Sequence, residues 1–233
     1  MHRRRFVQHL AVSSLGAGFA ADHAAAAPAL QPPLPQLSDG ARQLAQRVLR
    51  ATDPGQRPFA IVDKHDATIA VYRADGALVG VSRTLLGQAR GDHSVPGVGE
   101  RTQAGTLRAQ DCTSPAGRFE SQPGRNRQGE AVVWLDYASA FAIHRLRPGR
   151  TQPERARRLA TGGAVDKRVS AGCVVVPETF YDRVVADVLG RTPGVVYVMP
   201  EEAAPHDSWR ALWRQVSLRQ MAAAAAAAAA ANV

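Results

Sequence analysis

The sequence contains few of the residues that would place it in several large classes of protein. Only two of its 233 residues are cysteine, and only 6% are aromatic. Two cysteines cannot hold together a chain of this length, so its stability must come from a hydrophobic core. No Cys/His spacing indicates a zinc site, and we expect neither a metal nor a cofactor. With 45% apolar residues, one folded domain with tails is the expected organisation.

Long apolar runs and signs of nucleic-acid binding are also missing. After residue 27 there is no strongly apolar run of 18 or more residues, so the sequence predicts no transmembrane helix in the mature chain. The formal net charge is +9, and 27 of the 29 basic residues are arginine. They are scattered, and no nucleic-acid-binding motif accompanies them. We therefore expect no nucleic acid but an acidic partner, such as an anionic cell wall.

The N-terminal segment has the features of an export signal. Residues 1–27 combine a basic start, a weakly apolar middle and a cluster of small residues. Arg3-Arg4-Arg5-Phe6-Val7-Gln8 resembles a twin-arginine signal, and an ordinary secretion signal is the alternative. Residues 28–37 hold four prolines and indicate an extended linker. The folded domain is expected over residues 38–200, with a helix and poly-alanine tail over residues 201–233. The protein is then expected in the periplasm or cell envelope.

Hydrophobic periodicity predicts a mainly β domain of the α+β class with peripheral helices. Strands are expected at residues 59–62, 68–72, 77–86, 118–120, 132–137, 141–146, 174–176 and 195–199. Helices are expected at residues 39–50, 151–160 and 178–189 and from residue 207 or 208 onwards. Thr151 and Glu154 indicate a capping box for the second of these helices. Residues 87–105 predict a loop, and residues 123–126 predict a turn.

One stretch of the chain indicates chemistry. Cys173 follows Gly172 and precedes the β-branched run Val174-Val175-Val176, which predicts a buried strand near the middle of the sheet. A thiol between a glycine turn and a rigid strand has a fixed direction, and neighbouring backbone N–H groups can converge on one point. His144 ends another apolar run 29 positions earlier. A cysteine with a histidine distant in sequence is a candidate pair for acyl transfer.

These residues resemble a known family. The order His144, a spacer and Ser170-x-Gly172-Cys173 is similar to that of the L,D-transpeptidase catalytic-domain (YkuD-type) family of bacterial cell-wall enzymes. The segment from Thr113 to Phe119 is similar to the family's Thr-Pro-x-Gly-x-Phe stretch, and Lys64 to Gly76 is similar to its opening hairpin. The resemblance covers roughly residues 59–200, and the three segments occur in the family's order. It implies an L,D-transpeptidase-like catalytic domain over residues 38–200, with a mixed β-sheet or sandwich and peripheral helices.

The resemblance implies a two-step acyl transfer on peptidoglycan peptide stems. His144 would take the thiol proton of Cys173, whose sulfur would attack the donor carbonyl and release a terminal D-amino acid. The family's pattern implies that the backbone carbonyl of Arg145 orients the imidazole. Backbone N–H groups at residues 172 and 173 would receive the oxyanion. The nucleophile and the oxyanion would be supported through the backbone by Ser170, Ala171 and Gly172.

The chain departs from the family's pattern at three places. Ala171 stands where the family often has histidine, and Val175 stands where it favours arginine or asparagine. The interval between His144 and Cys173 is longer than usual, which indicates an insertion over residues 145–169 that borders the cleft. We expect the arginines of this insertion, at positions 155, 157 and 158, on a solvated helix face. Contact with acidic substrate groups is the alternative.

Other functions remain open at the level of the sequence. The same residues would serve an L,D-carboxypeptidase or a related thiol amidase, since access of water instead of an amine separates these activities. Ala171 and Val175 favour a catalytically quiet wall-binding protein that kept the fold. Cys112 is expected to be a small buried residue, and a disulfide between Cys112 and Cys173 is the alternative.

Overall fold

The computed structural model of the chain describes residues 35–161 and 163–231. The predicted export signal and most of the predicted linker lie outside these residues. Within them, the chain forms a large mixed sheet with helices at its periphery, which confirms the predicted mainly β, α+β class. None of the helices in these ranges is both long enough and apolar enough to cross a membrane.

The strands lie close to the apolar runs that predicted them. In chain order they are β1 (Phe59–Asp63), β2 (Thr68–Tyr72), β3 (Leu78–Arg83), β4 (Leu86–Gly87), β5 (Gly117–Arg125), β6 (Ala131–Asp136), β7 (Phe141–Arg145), β8 (Arg168–Ser170), β9 (Val174–Val176) and β10 (Gly194–Val198). The helices are α1 (Asp39–Ala51), α2 (Val98–Ala104), α3 (Gln152–Ala160), α4 (Glu178–Phe180), α5 (Ala186–Val188) and α6 (Ser208–Ala231). A π-helical turn, Tyr181–Val185, joins α4 to α5.

Eight strands form one sheet in the order β3-β2-β1-β10-β5-β6-β7-β9. The pairs β1–β10 and β7–β9 are parallel, and the other neighbours in this sheet are antiparallel. β4 and β8 form a separate parallel pair. The parallel pairing of β7 with β9 matters most for function, because it joins the strand of His144 to the strand that follows Cys173.

The prediction that the cysteine strand lies near the middle of the sheet is wrong, since β9 is the last strand. Its outer edge is covered by Leu85, whose N–H lies 2.7 Å from the Val175 carbonyl and whose carbonyl lies 2.9 Å from the Val175 N–H. Leu85 comes two residues after β3, so the two ends of the sheet approach each other. A covered edge strand is as apolar as a central one, and the sequence pattern cannot separate them.

Both faces of the sheet are packed. On one face, alternate residues of the strands form a core with the helical segment at residues 178–188, which includes Tyr181 and Val185. On the other face, Phe59 and Ile61 of β1 pack with α1 and with Trp213 of α6. α1 begins as predicted, with the Ser38 hydroxyl accepting the N–H of Ala41. The alternation along β1 explains why all five of its residues are buried.

The predicted turn at residues 123–126 is wrong, because β5 continues through Arg125. Pro123 has no backbone N–H to donate to a neighbouring strand. Because β10 pairs only with residues 117–121 of β5, no carbonyl of β10 requires an N–H from Pro123. The turn lies one step later, where the Asn126 side chain accepts the N–H groups of Gln128 and Glu130 at 2.9 and 3.0 Å. An asparagine side chain that accepts backbone N–H groups stabilises a turn, so the chain turns after Asn126 and not at Pro123-Gly124.

Two predictions about helices also need correction. Residues 87–105 are not a plain loop, since they contain β4 at their start and α2. The predicted capping box of α3 is not formed, although the helix itself is confirmed. The Thr151 side chain makes no cap hydrogen bond. The Glu154 carboxylate binds Arg157 and Arg158 instead, because two guanidinium groups one turn away outcompete a backbone N–H.

Candidate active site

The sheet places the thiol of Cys173 and the imidazole of His144 on the same face of neighbouring strands. His144 on β7 is the partner of Val175 on β9 in a parallel register. Alternate residues of a strand share a face, and Cys173 comes two residues before Val175. Cys173 also packs against the cluster that contains Val175, whereas Ile143 and Val174 belong to the core on the other face. The two sequence-predicted groups are therefore brought to one surface.

The ring of His144 is held in a defined orientation. Its Nδ1 lies 2.7 Å from the carbonyl oxygen of Arg145. A carbonyl only accepts, so Nδ1 carries the proton and Nε2 has the free lone pair. The side chain is 9% exposed, and burial, followed by the charge of Arg147, lowers the pKa of His144 to about 4. The imidazole is therefore neutral at pH 7 and able to accept a proton.

Cys173 is a half-buried free thiol. Its Sγ donates to the carbonyl of Ala140 at 3.4 Å, at the start of β7. Burial raises the pKa of the thiol, while the backbone of Ala142 and the charge of Arg147 act weakly in the opposite direction. Between the described residues, no hydrogen bond joins this sulfur to His144. The resting pair is therefore a thiol and a neutral imidazole. Cys112 is also free and is buried, so the alternative of a disulfide is not adopted.

The turn before the nucleophile is built by Ser170 and Gly172. The Ser170 hydroxyl accepts the N–H of Gly172 at 3.1 Å and donates to the carbonyl of Cys173 at 2.6 Å. Gly172 has φ +121°, and a Cβ there would lie 2.9 Å from the Thr113 carbonyl oxygen. Only glycine satisfies both conditions. The spacing Ser-x-Gly-Cys is thus the spacing of a tight turn that fixes the direction of the thiol.

This geometry corrects one predicted role. The Gly172 N–H is occupied by Ser170, so in this conformation it does not serve as an oxyanion donor. The N–H groups of Ala171 and Cys173 have no hydrogen-bond partner within residues 35–161 and 163–231. Ala171 is exposed. Any oxyanion donors at this turn must therefore come from residues 171 and 173.

The segment that begins at Thr113 lies directly against the nucleophile turn. The fully buried Ser114 donates from its hydroxyl to the Gly172 carbonyl at 2.5 Å and accepts the Gly87 N–H at 2.9 Å. The ammonium of Lys64 donates to the Ser114 carbonyl at 2.8 Å. The three sequence segments that carry the family resemblance therefore meet at this turn through a continuous chain of hydrogen bonds.

Lys64 and Ser114 were not among the predicted site residues. Lys64 is almost fully buried, and its ammonium also donates to the Gly91 carbonyl at 2.6 Å and to the Asp92 carboxylate at 2.7 Å. These acceptors satisfy all three of its protons. The chain has only two lysines among 29 basic residues, and both Lys64 and Lys167 are buried. The scarcity of lysine could have indicated Lys64 as a special residue. In this chain arginine supplies the exposed basic groups, and both lysines occupy positions where a compact ammonium is enclosed.

Aromatic side chains lie beside the same face. Trp134 on β6 is the partner of Ala142 on β7, so it shares the face of His144. The ring of Tyr137 meets that of Trp134 edge to face at 5.0 Å and is 74% exposed. Both residues lie on or just after β6, in the hairpin whose Ala140 carbonyl accepts the thiol. Trp134 and Tyr137 thus lie beside the face that carries His144 and Cys173.

The insertion between the histidine and the cysteine borders the opposite side of this face. Ala156 and Leu159 of α3 pack on the cluster that contains Val175 and contacts Cys173. A separate cavity of about 550 Å³ is lined by β3, α3 and the helical segment at residues 178–188. Neither Cys173 nor His144 lines this cavity. The thiol and the imidazole therefore lie on the surface between α3 and Trp134 and not in the cavity.

Known proteins provide structural neighbours at low similarity. No family model matches the chain, and no curated protein matches it. A mutant L,D-transpeptidase from Enterococcus faecium is 16% identical, with a TM-score of 0.34 over 61% of this chain and 49% of its own. The L,D-transpeptidase from Mycobacterium smegmatis is 14% identical, with a TM-score of 0.34 over 61% and 58%.

A fused Zn-dependent amidase/peptidase/peptidoglycan-binding domain-containing protein from Clostridium acetobutylicum is 13% identical, with a TM-score of 0.35 over 72% and 65%. The chain spans about half the length of the first solved structures that it matches. Its neighbours thus include L,D-transpeptidases, the family that the motifs resemble. Because the identities and TM-scores are low, the activity has to be argued from the chain's own residues.

Proposed function

We propose that the protein is an exported cysteine acyltransferase that acts on peptidoglycan peptide stems as an L,D-transpeptidase, with Cys173 as nucleophile and His144 as base. The observation that carries the proposal is the placement of both side chains on one face of the paired strands β7 and β9. The Nδ1 contact with Arg145 leaves the other ring nitrogen free to take a proton. A disulfide-bonded or sealed sulfur could not act in this way, and Cys173 is free and half-buried.

The proposed reaction has two steps, acylation of Cys173 and transfer of the acyl group to an amine. The thiol proton moves to Nε2 of His144 as the sulfur forms a bond with the donor carbonyl carbon. The bond from that carbon to the terminal D-amino acid then breaks, and His144 returns the proton to the leaving amine. In the second step an amine of a neighbouring stem attacks the thioester carbonyl carbon and forms a carbon–nitrogen bond. The carbon–sulfur bond breaks, and a proton of the amine passes through His144 to the sulfur, which regenerates the thiol.

The protonation states favour proton transfer during the attack over a preformed ion pair. Burial raises the pKa of Cys173 and lowers that of His144 to about 4. Both shifts favour the neutral forms of the pair. Transfer then occurs as the sulfur approaches the carbonyl, where the imidazolium is stabilised by the negative charge that develops on the oxyanion.

The backbone at the nucleophile turn provides the candidate oxyanion donors. The N–H groups of Ala171 and Cys173 lack a hydrogen-bond partner in the part of the chain that the structure describes. Donors of this kind need no side chain, so the family's histidine at position 171 can be replaced by alanine. Loss of one such donor typically costs about 3 kcal/mol of transition-state stabilisation.

The substrate and location in this proposal rest on the sequence. The signal at residues 1–27 would carry the protein to the periplasm or cell envelope, where peptide stems occur. Without residues 1–27, which hold three arginines and one aspartate, the net charge is +7, and this remaining excess suits an anionic wall polymer. The part of the chain that aligns with the first solved structures spans about half of their length, so their activity enters only as part of this proposal.

The proposal is tested with purified mature protein and a defined tetrapeptide stem, with and without an amine acceptor, followed by intact-protein mass spectrometry. We expect an acyl adduct on Cys173 and transfer of the acyl group to the amine. Cys173→Ala should abolish the adduct, and His144→Gln should slow it by about 10²- to 10⁴-fold, since it removes the general base.

Cys112→Ala is the matched control, because Cys112 is buried and lies outside the pair, and it should acylate normally. Release of the terminal D-amino acid without transfer to the amine would assign the chain as an L,D-carboxypeptidase. No adduct from this donor or from a carbapenem, with the protein folded and wall binding retained, would refute the enzyme and favour the quiet wall-binding protein.

A further inference from the structure

The thiol–imidazole pair lies beside an excess of positive charge. Arg147 follows His144 by three residues, and its Nε lies 2.8 Å from the carboxylate of Glu130. Arg155 lies in the first half of α3. The charges of Arg147 and Arg155 both act on His144, as does the opposite charge of Glu130. Two guanidinium groups and one carboxylate therefore act on His144, which leaves an excess of one positive charge among these three groups.

The unbalanced group is Arg155. Its side chain is half-buried, and its Nε is buried without a hydrogen-bond partner in the described ranges. It makes no ion pair with any residue that the structure describes. Burial lowers its pKa, and the charge of Arg147 lowers it further. A desolvated guanidinium without a partner is costly, so an arginine held in this way is suited to an anion that arrives from outside.

The other arginines of α3 show that this lack is specific. Arg157 and Arg158 both bind the carboxylate of Glu154, each at 2.8 Å. Arg157 is exposed, as the prediction of a solvated helix face requires, whereas Arg155 and Arg158 are half-buried. The only acidic side chain of α3 is engaged by its neighbours, so the helix itself offers Arg155 no counterion.

The position of Arg155 relates it to the reacting groups. Leu159, one helical turn after Arg155 and on the same side of α3, belongs to the cluster against which Cys173 packs. His144 must deliver a proton to the leaving nitrogen, so that nitrogen has to lie near the imidazole during the reaction. If the leaving group is a single C-terminal amino acid, its carboxylate carbon is two bonds from this nitrogen. The charge of Arg155 acts on the imidazole, so a carboxylate next to the imidazole would be attracted to this guanidinium.

We infer that Arg155, flanked by Arg147, binds the free carboxylate of the C-terminal amino acid that leaves when Cys173 is acylated, an inference that rests on the proposed function. Arg155 then selects donors in which the scissile bond is the last peptide bond of the stem. The planar guanidinium suits a carboxylate because it can donate two parallel hydrogen bonds. The insertion over residues 145–169 thus provides a specificity determinant in place of the polar group that Val175 does not supply.

The first test compares two donors that differ only at the C-terminus: a tetrapeptide stem with a free carboxylate and the same stem as a C-terminal amide. For the unaltered protein we expect kcat/KM to be about 10- to 100-fold higher for the carboxylate, as a charge-assisted hydrogen bond predicts. Arg155→Gln should remove this preference by slowing only the carboxylate donor. Arg150→Gln is the matched control, because Arg150 is exposed and belongs to the same insertion, and it should keep the preference.

The second test uses binding without reaction. In a Cys173→Ala background, isothermal titration with the same two peptides should show tighter binding of the carboxylate, and adding Arg155→Gln should remove the difference. Acylation of the unaltered protein with no preference between the donors, and no effect of Arg155→Gln, would overturn the inference and leave the proposed function standing. Failure of both donors to acylate Cys173, with the carboxylate preference still present in binding, would refute the function and retain the anion site. Absence of any binding preference would overturn the inference whatever the acylation result.

Discussion

Ser114 should be worth more to this protein than its size suggests, because its hydroxyl links three separate segments. It is fully buried, donates to Gly172 at 2.5 Å and accepts from Gly87 at 2.9 Å. Ser114→Ala leaves a buried carbonyl and a buried N–H without partners, and each such group costs about 1–3 kcal/mol. We expect the free energy of unfolding to fall by about 2–4 kcal/mol. The urea midpoint should fall at constant slope, and the melting temperature should drop by roughly 4–16 °C.

Ser121→Ala provides the control for this prediction. Ser121 is also fully buried, and its hydroxyl has no hydrogen-bond partner among the residues that the structure describes. The same atom is deleted in both variants, but here an unsatisfied polar group is removed. Stability should therefore stay the same or rise by up to about 1 kcal/mol. Equal losses in the two variants would refute the reasoning, because they would show that the deleted oxygen matters through packing and not through its hydrogen bonds.

Two further predictions concern the nucleophile. Gly172→Ala should lower the free energy of unfolding by about 2–4 kcal/mol and slow acylation, because the new Cβ adds a 2.9 Å contact to the backbone strain at φ +121°. Gly55→Ala is the control: at φ +63°, with nothing within 4 Å, it should lower the free energy of unfolding by only about 1 kcal/mol. Similar urea midpoints for the two variants would count against the turn geometry. The pKa of Cys173 is raised, and that of His144 is lowered to about 4 by burial and by the net effect of the charges of Arg147, Arg155 and Glu130. The rate of Cys173 alkylation by iodoacetamide should therefore rise about tenfold per pH unit from about pH 6 to about pH 8, because the thiolate fraction rises with pH below the thiol pKa. A plateau at acidic pH, read by peptide mass mapping, would instead indicate a preformed thiolate–imidazolium pair.

Several elements followed from local sequence patterns alone. The helix α1, the paired strands β1 and β2, and the buried run after Cys173 are confirmed at nearly their predicted bounds. The turn before the cysteine also follows locally, because Gly172 with Ser170 at a spacing of two allows the serine hydroxyl to reach the glycine N–H. These features depend on residues within one turn or one strand, and such contacts are encoded by adjacent side chains.

Features that depend on partners distant in the chain could not be obtained in this way. Val175 was expected in a central strand, yet β9 is an edge strand covered by Leu85, 90 positions earlier. The Gly172 N–H was expected to be an oxyanion donor and is instead bound within its own turn. Arg155 was expected on a solvated helix face; it is half-buried, and its Nε has no hydrogen-bond partner among the residues that the structure describes.

The sequence by itself determined which residues are candidates for the chemistry, since a cysteine after a glycine turn and a histidine at the end of a strand are visible in the order of residues. The tertiary structure decided how those groups behave. Burial sets the protonation of Cys173 and His144, and long-range hydrogen bonds from Ser114 hold the nucleophile turn. Burial and the choice of partner depend on which segments the fold brings together, and residue order alone does not specify that.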